Sequence, residues 1–598
     1  QIARSEGMMR TTTRTESAWR RRFRVPRVGA LPIWARDAPD RLLYGTNAPG
    51  KWELFAWDRS TGRHRQVTER PTGTPPGAGR IQPSGRFIWW FDDEKGSELG
   101  RWVIEPFEGA GSRSIAPLPP AHSAGAVLGN RFAVIGLSGE TGTSIHLVDP
   151  SGEVAVLYRH REAARVVDIS RDETLIAINH SEHGDMMHQA VRISDVAGRP
   201  ICDLHDGPHR GLMIREWSPV HGDPRLIIQH QRREMAQPLI LNAHTGEVTD
   251  LDVSLPGEVA ASWYPDGSAV LLWHDYRSRT DLYRFNLVTR EMQKLDIEAG
   301  TLGQARVHPS GEIWYMWTNA RVPMEARAGR GVLLRPPGDP APPGVSYTDE
   351  TIGDVHTFIA QPSSPRPHPA ILFVHGGPES QDRDQFSPRV QAWVDHGFAV
   401  LLVNYRGSSG YGRRWRDSIQ GNPGFTELED IVRVRDWAVS SGLADSRRIV
   451  LAGGSWGGYL TLLGLGRHPE LWSLGIAYVP VADCLAAYED EMDHLQAYDR
   501  ALFGGAPEQI PEAYRLRSPI TYVERVQVPV MILAGDNDPR CPIRQVENYV
   551  TALRQLGRSH EFYRYDAGHG ALVDDEAIRQ TEAAIRFAAR HLGTRPPQ

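Results

Sequence analysis

Hydrophobic and polar positions follow two different rhythms along the 598 residues. In the first half, short apolar runs recur behind Pro, Asp, Gly or Ser turns: RLLYGT from residue 41, RFIWWF from 86, RFAVIG from 131, TLIAIN from 174, RLIIQH from 225, AVLLWH from 269 and EIWYMW from 312. Centred on Leu43, Ile88, Ala133, Ile176, Ile227, Leu271 and Trp314, they are spaced by 45, 45, 43, 51, 44 and 43 residues. Within several repeats a second strand pair follows, joined by turns such as WDRSTGRHRQVT (57–68), LVDPSGEVAVLY (147–158) and NAHTGEVTDL (242–251). A four-stranded unit of roughly 40–50 residues is the size of a propeller blade. The spacing therefore predicts a seven-bladed β-propeller, against the alternative of an array of β-sandwiches.

The rhythm changes after Trp317. Pro336-Pro337-Gly338-Asp339-Pro340-Ala341-Pro342-Pro343-Gly344 reads as a stiff crossing between independently packed domains. Beyond it, apolar runs at 371–374, 398–403, 449–452, 474–478, 530–534 and 562–565 read as buried strands, and the amphipathic stretches 427–437 and 576–591 as helices. That alternation predicts a mostly parallel, doubly wound sheet covered on both faces. The division expected is an N-terminal extension at 1–24, a propeller at 25–330 and an α/β domain at 331–598.

Charge and cysteine content exclude several classes. The balance of 67 basic against 73 acidic residues, a net −6, offers no global attraction for nucleic acid or anionic lipid. Neither nucleic acid nor membrane is expected as a partner. Cys202, Cys484 and Cys541 are too few and too far apart for a disulfide framework or a CxxC metal site. The compartment expected is reducing, and no metal or cofactor is implied. The N-terminal QIARSEGMMRTTTRTESAWRRRFRV is Arg-rich without an apolar core, so it does not read as a secretory signal, and there is no apolar run long enough to span a bilayer. A cytoplasmic protein is expected, with this polar segment exposed.

The sharpest local signal is Gly453-Gly454-Ser455-Trp456-Gly457-Gly458-Tyr459. GxSxG alone is weak, but here it follows a strand and opens the helical stretch YLTLLGLGRH, the strand-turn-helix that a nucleophile elbow requires. A phosphate-binding turn is the alternative, and it lacks both GK[ST] and GxGxxG. A serine needs a base and the base an orienter, in the chain order Ser, Asp, His for this fold. Asp538 follows the strand at 530–534, with Asp536 its competitor, and His569 follows the strand at 562–565. The oxyanion of acyl transfer needs donors: the N–H of Trp456 is one, and the loop His375-Gly376-Gly377-Pro378 supplies the second.

HGGP at 375, NYRGSSGYGRRW at 404–415, the GGSWGGY elbow, GDNDPR at 535–540 and AGHG at 567–570 resemble the prolyl oligopeptidase family, nearest its acylaminoacyl- and dipeptidyl-peptidase-like branch. The resemblance covers roughly residues 370–570. It implies a serine peptidase in which a propeller caps an α/β-hydrolase domain, cleaving short peptides and excluding folded proteins. Carried onto this sequence, Ser455 is nucleophile, His569 general base and acid, Asp538 its orienter, Gly377 and Trp456 the oxyanion donors, and Arg540 a holder of substrate carbonyl or carboxylate. Tyr459 and Glu489 are further substrate-binding candidates, Glu489 lying in the acidic run at 489–493. Cys484 and Cys541 are expected as small apolar wall residues. The double-glutamate helix of dipeptidyl peptidases has no counterpart in the propeller sequence.

Three functions follow from these readings: a serine peptidase on short peptides, an aminoacyl-amide or ester hydrolase acting on a peptide-like secondary metabolite or antibiotic, and a non-catalytic propeller scaffold. The expected partner is a short peptide or peptide-like small molecule, and a homo-oligomer is left open.

Overall fold

The computed structural model describes residues 16–597. Between residues 33 and 334 the strands follow one another as antiparallel ladders. Residues 33–66 form a four-stranded sheet, 79–160 an eight-stranded one, and 164–204, 212–250, 258–294 and 301–334 four-stranded sheets again. All seven recurring apolar runs fall in the second of four successive strands, as Leu43 does in Ala38–Thr46, Ile88 in Phe87–Asp93 and Trp314 in Ile313–Asn319. These strands are buried on both faces, which is why their sequences read as continuous apolar runs.

The turns that follow are built by one device. Asp58, Asp195, Asn242 and Asn286 each end a third strand and Asp149 directly follows one, and each side-chain oxygen accepts main-chain N–H groups two to four residues on. Neighbouring sheets pack face to face. Leu43, Leu54 and Ala56 of the first meet Ile81, Ile88 and Trp90 of the next. The ring closes where Leu42, Tyr44 and Trp57 meet Trp314, Met316 and Ala326 of the last. Burial of each such large side chain contributes about 1.5–3 kcal/mol.

The C-terminal domain is organised by one eight-stranded sheet: β1 (Thr348–Ile352), β2 (Val355–Ala360), β3 (His368–Val374), β4 (Ala399–Asn404), β5 (Ala444–Gly454), β6 (Leu474–Tyr478), β7 (Val530–Gly535) and β8 (His560–Tyr565). Their order is β1-β2-β4-β3-β5-β6-β7-β8, and every pair from β4 to β8 is parallel. Alternate residues serve opposite layers. Leu372, Val374 and Leu451 pack with Ile431, Leu460 and Val546 on one face, and Ile371, Val450 and Ala452 with Trp393, Ile585 and Phe587 on the other.

The helices that supply those layers are, in chain order, α1 (Ala18–Phe23), α2 (Pro388–Asp395), α3 (Phe425–Ser440), α4 (Trp456–Arg467), α5 (Asp493–Phe503), α6 (Ile543–Gln555) and α7 (Asp574–Leu592). The extension differs from its expected exposure over the described residues. In α1, Trp19 and Phe23 join the second layer. The Arg22 guanidinium is buried because Asp395 holds it at 2.5 Å and the Pro342 carbonyl accepts from it. Arg24 pairs with Asp575 at 2.7 Å. Residues 1–15 lie outside the described residues.

The two domains meet at several ion pairs. The turn between strands Phe87–Asp93 and Leu99–Pro106 reaches the loops after β7 and β8. Lys95 Nζ lies 2.9 Å from Asp566, and Glu98 is 2.6 Å from Arg540. Between them a Cβ on Gly96 would come within 2.8 Å of the Gly568 nitrogen. Elsewhere His188 meets Asp417 at 3.2 Å and Asp275 meets Arg383 at 2.5 Å. Among the described residues, no helix is long and apolar enough to cross a membrane.

Candidate active site

Strand β5 runs into Ser455, whose backbone takes φ +55° and ψ −119° before α4 starts at Trp456. A non-glycine residue held there stores about 1–3 kcal/mol of strain. The surroundings enforce it: the Ser455 N–H donates to the Tyr478 carbonyl at 2.9 Å. Gly457 is required next to it, because a Cβ at that position would sit 1.9 Å from the Val374 carbonyl oxygen. Sheet and helix therefore approach closely enough to lift the serine out of the turn.

Asp538 lies in the loop after β7 and is buried. One carboxylate oxygen accepts the N–H groups of Arg540 at 2.9 Å and Cys541 at 3.0 Å, and the other lies 2.8 Å from His569 Nδ1. Its sequence competitor Asp536 is bound instead to Arg564 at 2.7 Å on the surface. The buried Cys541 thiol lies beside the Ser455 hydroxyl, and burial, then the Asp538 charge, push that thiol well above its ordinary value. Ser455, Asp538, His569 and Cys541 thus converge at the C-terminal edge of the sheet.

The loop after β3 crosses the elbow. A Cβ on Gly376 would stand 3.0 Å from the Ser455 Cβ and 3.6 Å from the Trp456 nitrogen. Gly377, next along, has φ +126° and is exposed. His375 is a scaffold of this loop. Its ring stacks on Tyr405 with centroids 4.3 Å apart, its Nε2 lies 2.8 Å from Ser408 Oγ, and burial keeps its pKa down at about 4. The Trp456 N–H is in the first turn of α4, where main-chain donors have no intrahelical acceptor, and its indole donates to Glu427 at 3.1 Å.

The other expected residues are placed differently. Arg540 is in the site region, but its guanidinium is held by Glu98 through two bonds of 2.6 and 3.1 Å. Tyr459 is fully buried one turn along α4, its ring 4.3 Å from that of Trp456, and a Cβ on Gly424 would stand 2.2 Å from its hydroxyl. It packs the core. Glu489 is exposed and tied to Arg544 at 2.7 Å, beside Asp490. Two residues on, Glu491 is buried with one carboxylate oxygen unpartnered, and its charge acts on Cys541. Glu491 belongs to the acidic run visible in the sequence, whereas Glu98 carries no local signal.

Among the described residues, two groups of side chains bring potential metal-ligand atoms within 4.8 Å of one another, Asp538/Cys541/His569 and His180/His183/Asp203. The first is the catalytic candidate itself. In the second, Arg192 already occupies Asp203.

This arrangement defines a class, an α/β-hydrolase domain capped by a β-propeller. Residues 384–595, within the hydrolase domain, match the prolyl oligopeptidase family. The chain is 32% identical over 234 residues to a dipeptidyl peptidase family member 6 of Caenorhabditis elegans, covering 38% of this chain and 32% of that protein. It is 32% identical over 422 residues to the acylamino-acid-releasing enzyme of Mus musculus, covering 67% of this chain and 53% of that enzyme. The chain thus spans a third to about half of these relatives. The crystal structure of a puromycin hydrolase, 21% identical, superposes with a TM-score of 0.81 over 96% of this chain and 95% of that one. That superposition spans both the propeller and the hydrolase domain.

Proposed function

We propose that the protein is a serine peptidase of short peptides, working through an acyl-enzyme. Ser455 attacks the carbonyl, His569 takes its proton and returns it to the leaving amine, and Asp538 stabilises the imidazolium. The N–H groups of Trp456 and Gly377 receive the oxyanion. The observation that carries this reading is the 2.8 Å contact of Asp538 with His569 beside the strained Ser455 turn. The test is covalent labelling by a fluorophosphonate. The wild-type chain is expected to label at Ser455, and Ser455→Ala is expected to lose both label and turnover while keeping its fold. A folded wild-type chain that does not label returns the protein to the scaffold reading.

A second substrate class is favoured by the likeness to a puromycin hydrolase: a peptide-like antibiotic or aminoacyl amide. Comparing puromycin, free aminoacyl, N-acylated and dipeptidyl anilides and simple aryl esters separates the two.

For the architecture, we take the eight-stranded sheet as two blades joined by the pairs Leu99↔His122 and Gly100↔Ala121, which gives seven blades. The propeller then extends past residue 330 to Leu334, because Gly331–Leu334 pairs with Val322–Ala328. The three unpaired cysteines suit a reducing compartment such as the cytoplasm.

A further inference from the structure

The middle of the propeller is a cavity of about 890 Å³ walled by the first strand of successive sheets. Arg80, Arg165, Arg215 and Arg306 line it from strands Gly79–Ile81, Ala164–Ile169, Leu212–Trp217 and Thr301–Val307. Arg306 is neutralised by Glu216 at 3.0 Å. The other three form no ion pair among the described residues. Arg80 donates to the carbonyls of Ala126, Gly77 and Gly79 at 2.7–3.1 Å, and the acceptor that Arg215 reaches is the Met213 sulfur at 3.7 Å. Asp168, which also lines the cavity, is engaged by the N–H groups of Trp217 and Ile169.

Guanidinium groups on a channel wall with no acid beside them keep donors available to an anion that enters; Arg165 is exposed to the channel and Arg80 and Arg215 are half-buried. Partial desolvation by the surrounding wall holds Arg165 and Arg215 below their ordinary values, and together with the Arg165 charge brings Arg80 down to about 10. The cavity is therefore a positive funnel in a chain whose net charge is −6.

The arginines descend toward the hydrolase domain. Glu162 and His209, just ahead of the strands bearing Arg165 and Arg215, line a crevice with Ala497 and Arg500 of α5. At the inner end, burial and then the charges of Arg540, His122 and Arg165 keep His494 of α5 at about 4. Arg165 thus acts on the same space as Arg540.

We propose that Arg165 and Arg80 bind the C-terminal carboxylate of a short peptide that lies between the channel and Ser455, with Arg215 adding to the positive field of the channel, so that the enzyme favours peptides with a free C-terminus. The inference rests on the peptidase reading above. A guanidinium fork matches carboxylate and phosphate alike; the carboxylate is the anion that every unblocked peptide brings, and free phosphate is the competing source.

The test uses the full chain carrying Ser455→Ala, titrated calorimetrically at low salt with Ala-Ala-Phe, with its C-terminal amide and with inorganic phosphate. The free acid is expected to bind about tenfold or more tightly than the amide. Adding Arg165→Gln or Arg80→Gln is expected to bring the two within about twofold by weakening the acid alone, with Arg165→Lys restoring part of the gap. Phosphate is expected to compete with the acid and leave the amide unaffected. Equal affinities for acid and amide, a gap that survives both Gln variants, no binding of either peptide, or phosphate binding that displaces neither overturns the proposal. Fluorophosphonate labelling of the wild-type chain separates the two failures: labelling with equal affinities removes this inference alone, and absence of labelling removes the peptidase reading itself.

Discussion

Arg540 and Glu98, 442 residues apart, form a two-bond ion pair across the domain boundary, with N–O distances of 2.6 and 3.1 Å. Their side chains are 48% and 31% exposed, so solvent screening limits the pair to less than about 1 kcal/mol. Glu98→Ala is expected to move the thermal midpoint by no more than about 2–4 °C. It frees a guanidinium two residues from Asp538, so KM for short peptides is expected to shift several-fold. A larger loss of stability with unchanged KM contradicts this assignment.

His188 of the propeller is a pH-sensitive part of the same boundary. It is buried, with Nδ1 3.0 Å from Asp185 and Nε2 3.2 Å from Asp417. Burial opposes its cation, but the hydrogen bonds of both carboxylates outweigh this and raise it to about 9. The Arg416 guanidinium, 3.3 Å from Nε2, works against them. A histidine raised on folding contributes stability that is complete below its ordinary value of 6.5 and lost as pH climbs through about 9. Thermal unfolding at pH 6, 7.5 and 9 is expected to show a decline in the wild type, on the order of 1–3 kcal/mol, that His188→Gln lacks.

The two aspartates after β7 separate cleanly. Asp538→Asn keeps an acceptor for the Arg540 and Cys541 N–H groups but loses the charge beside His569, so kcat is expected to fall roughly 10³–10⁴-fold with the fold intact. Asp536→Asn loses a surface pair with Arg564 and is expected to stay within about twofold. Steady-state kinetics with circular dichroism as the folding control decides between them, and reversed effects would reassign the orienter.

Gly568, the neighbour of His569, packs on the propeller: a Cβ there would stand 2.0 Å from the Gly96 carbonyl oxygen. Gly568→Ala forces either the His569 loop or the propeller turn to shift. A displacement of about 1 Å costs up to about 100-fold in kcat/KM, and that loss is expected without unfolding.

What could be read from the sequence follows from what each residue must satisfy locally. The strand period is legible because the second strand of each four is buried on both faces, and in five repeats an Asx-type turn follows the third. The elbow was legible because Gly457 admits no side chain against β3. Tyr459 was misplaced because four residues past Ser455 the helix has turned its face into the core. Glu489 and Glu491 share one acidic run; the helix Cys484–Asp490 ends between them and Glu491 turns to extended backbone at ψ 161°, exchanging outside for inside. The Arg-rich extension reads as solvated, yet Arg22 is buried because an acid and a carbonyl more than 300 residues along the chain receive it. Glu98, Lys95 and Gly96 lie in an ordinary hairpin, and only the assembled domains give them partners.

That hairpin joins the cover to what it covers. Lys95, Gly96 and Glu98 touch the two loops that carry Asp538 and His569, so lifting the propeller in this sector strips both loops of support at once. On the peptidase reading proposed above, admission and competence are then a single variable: a gap wide enough for a folded chain also breaks the contacts that hold the loops of Asp538 and His569.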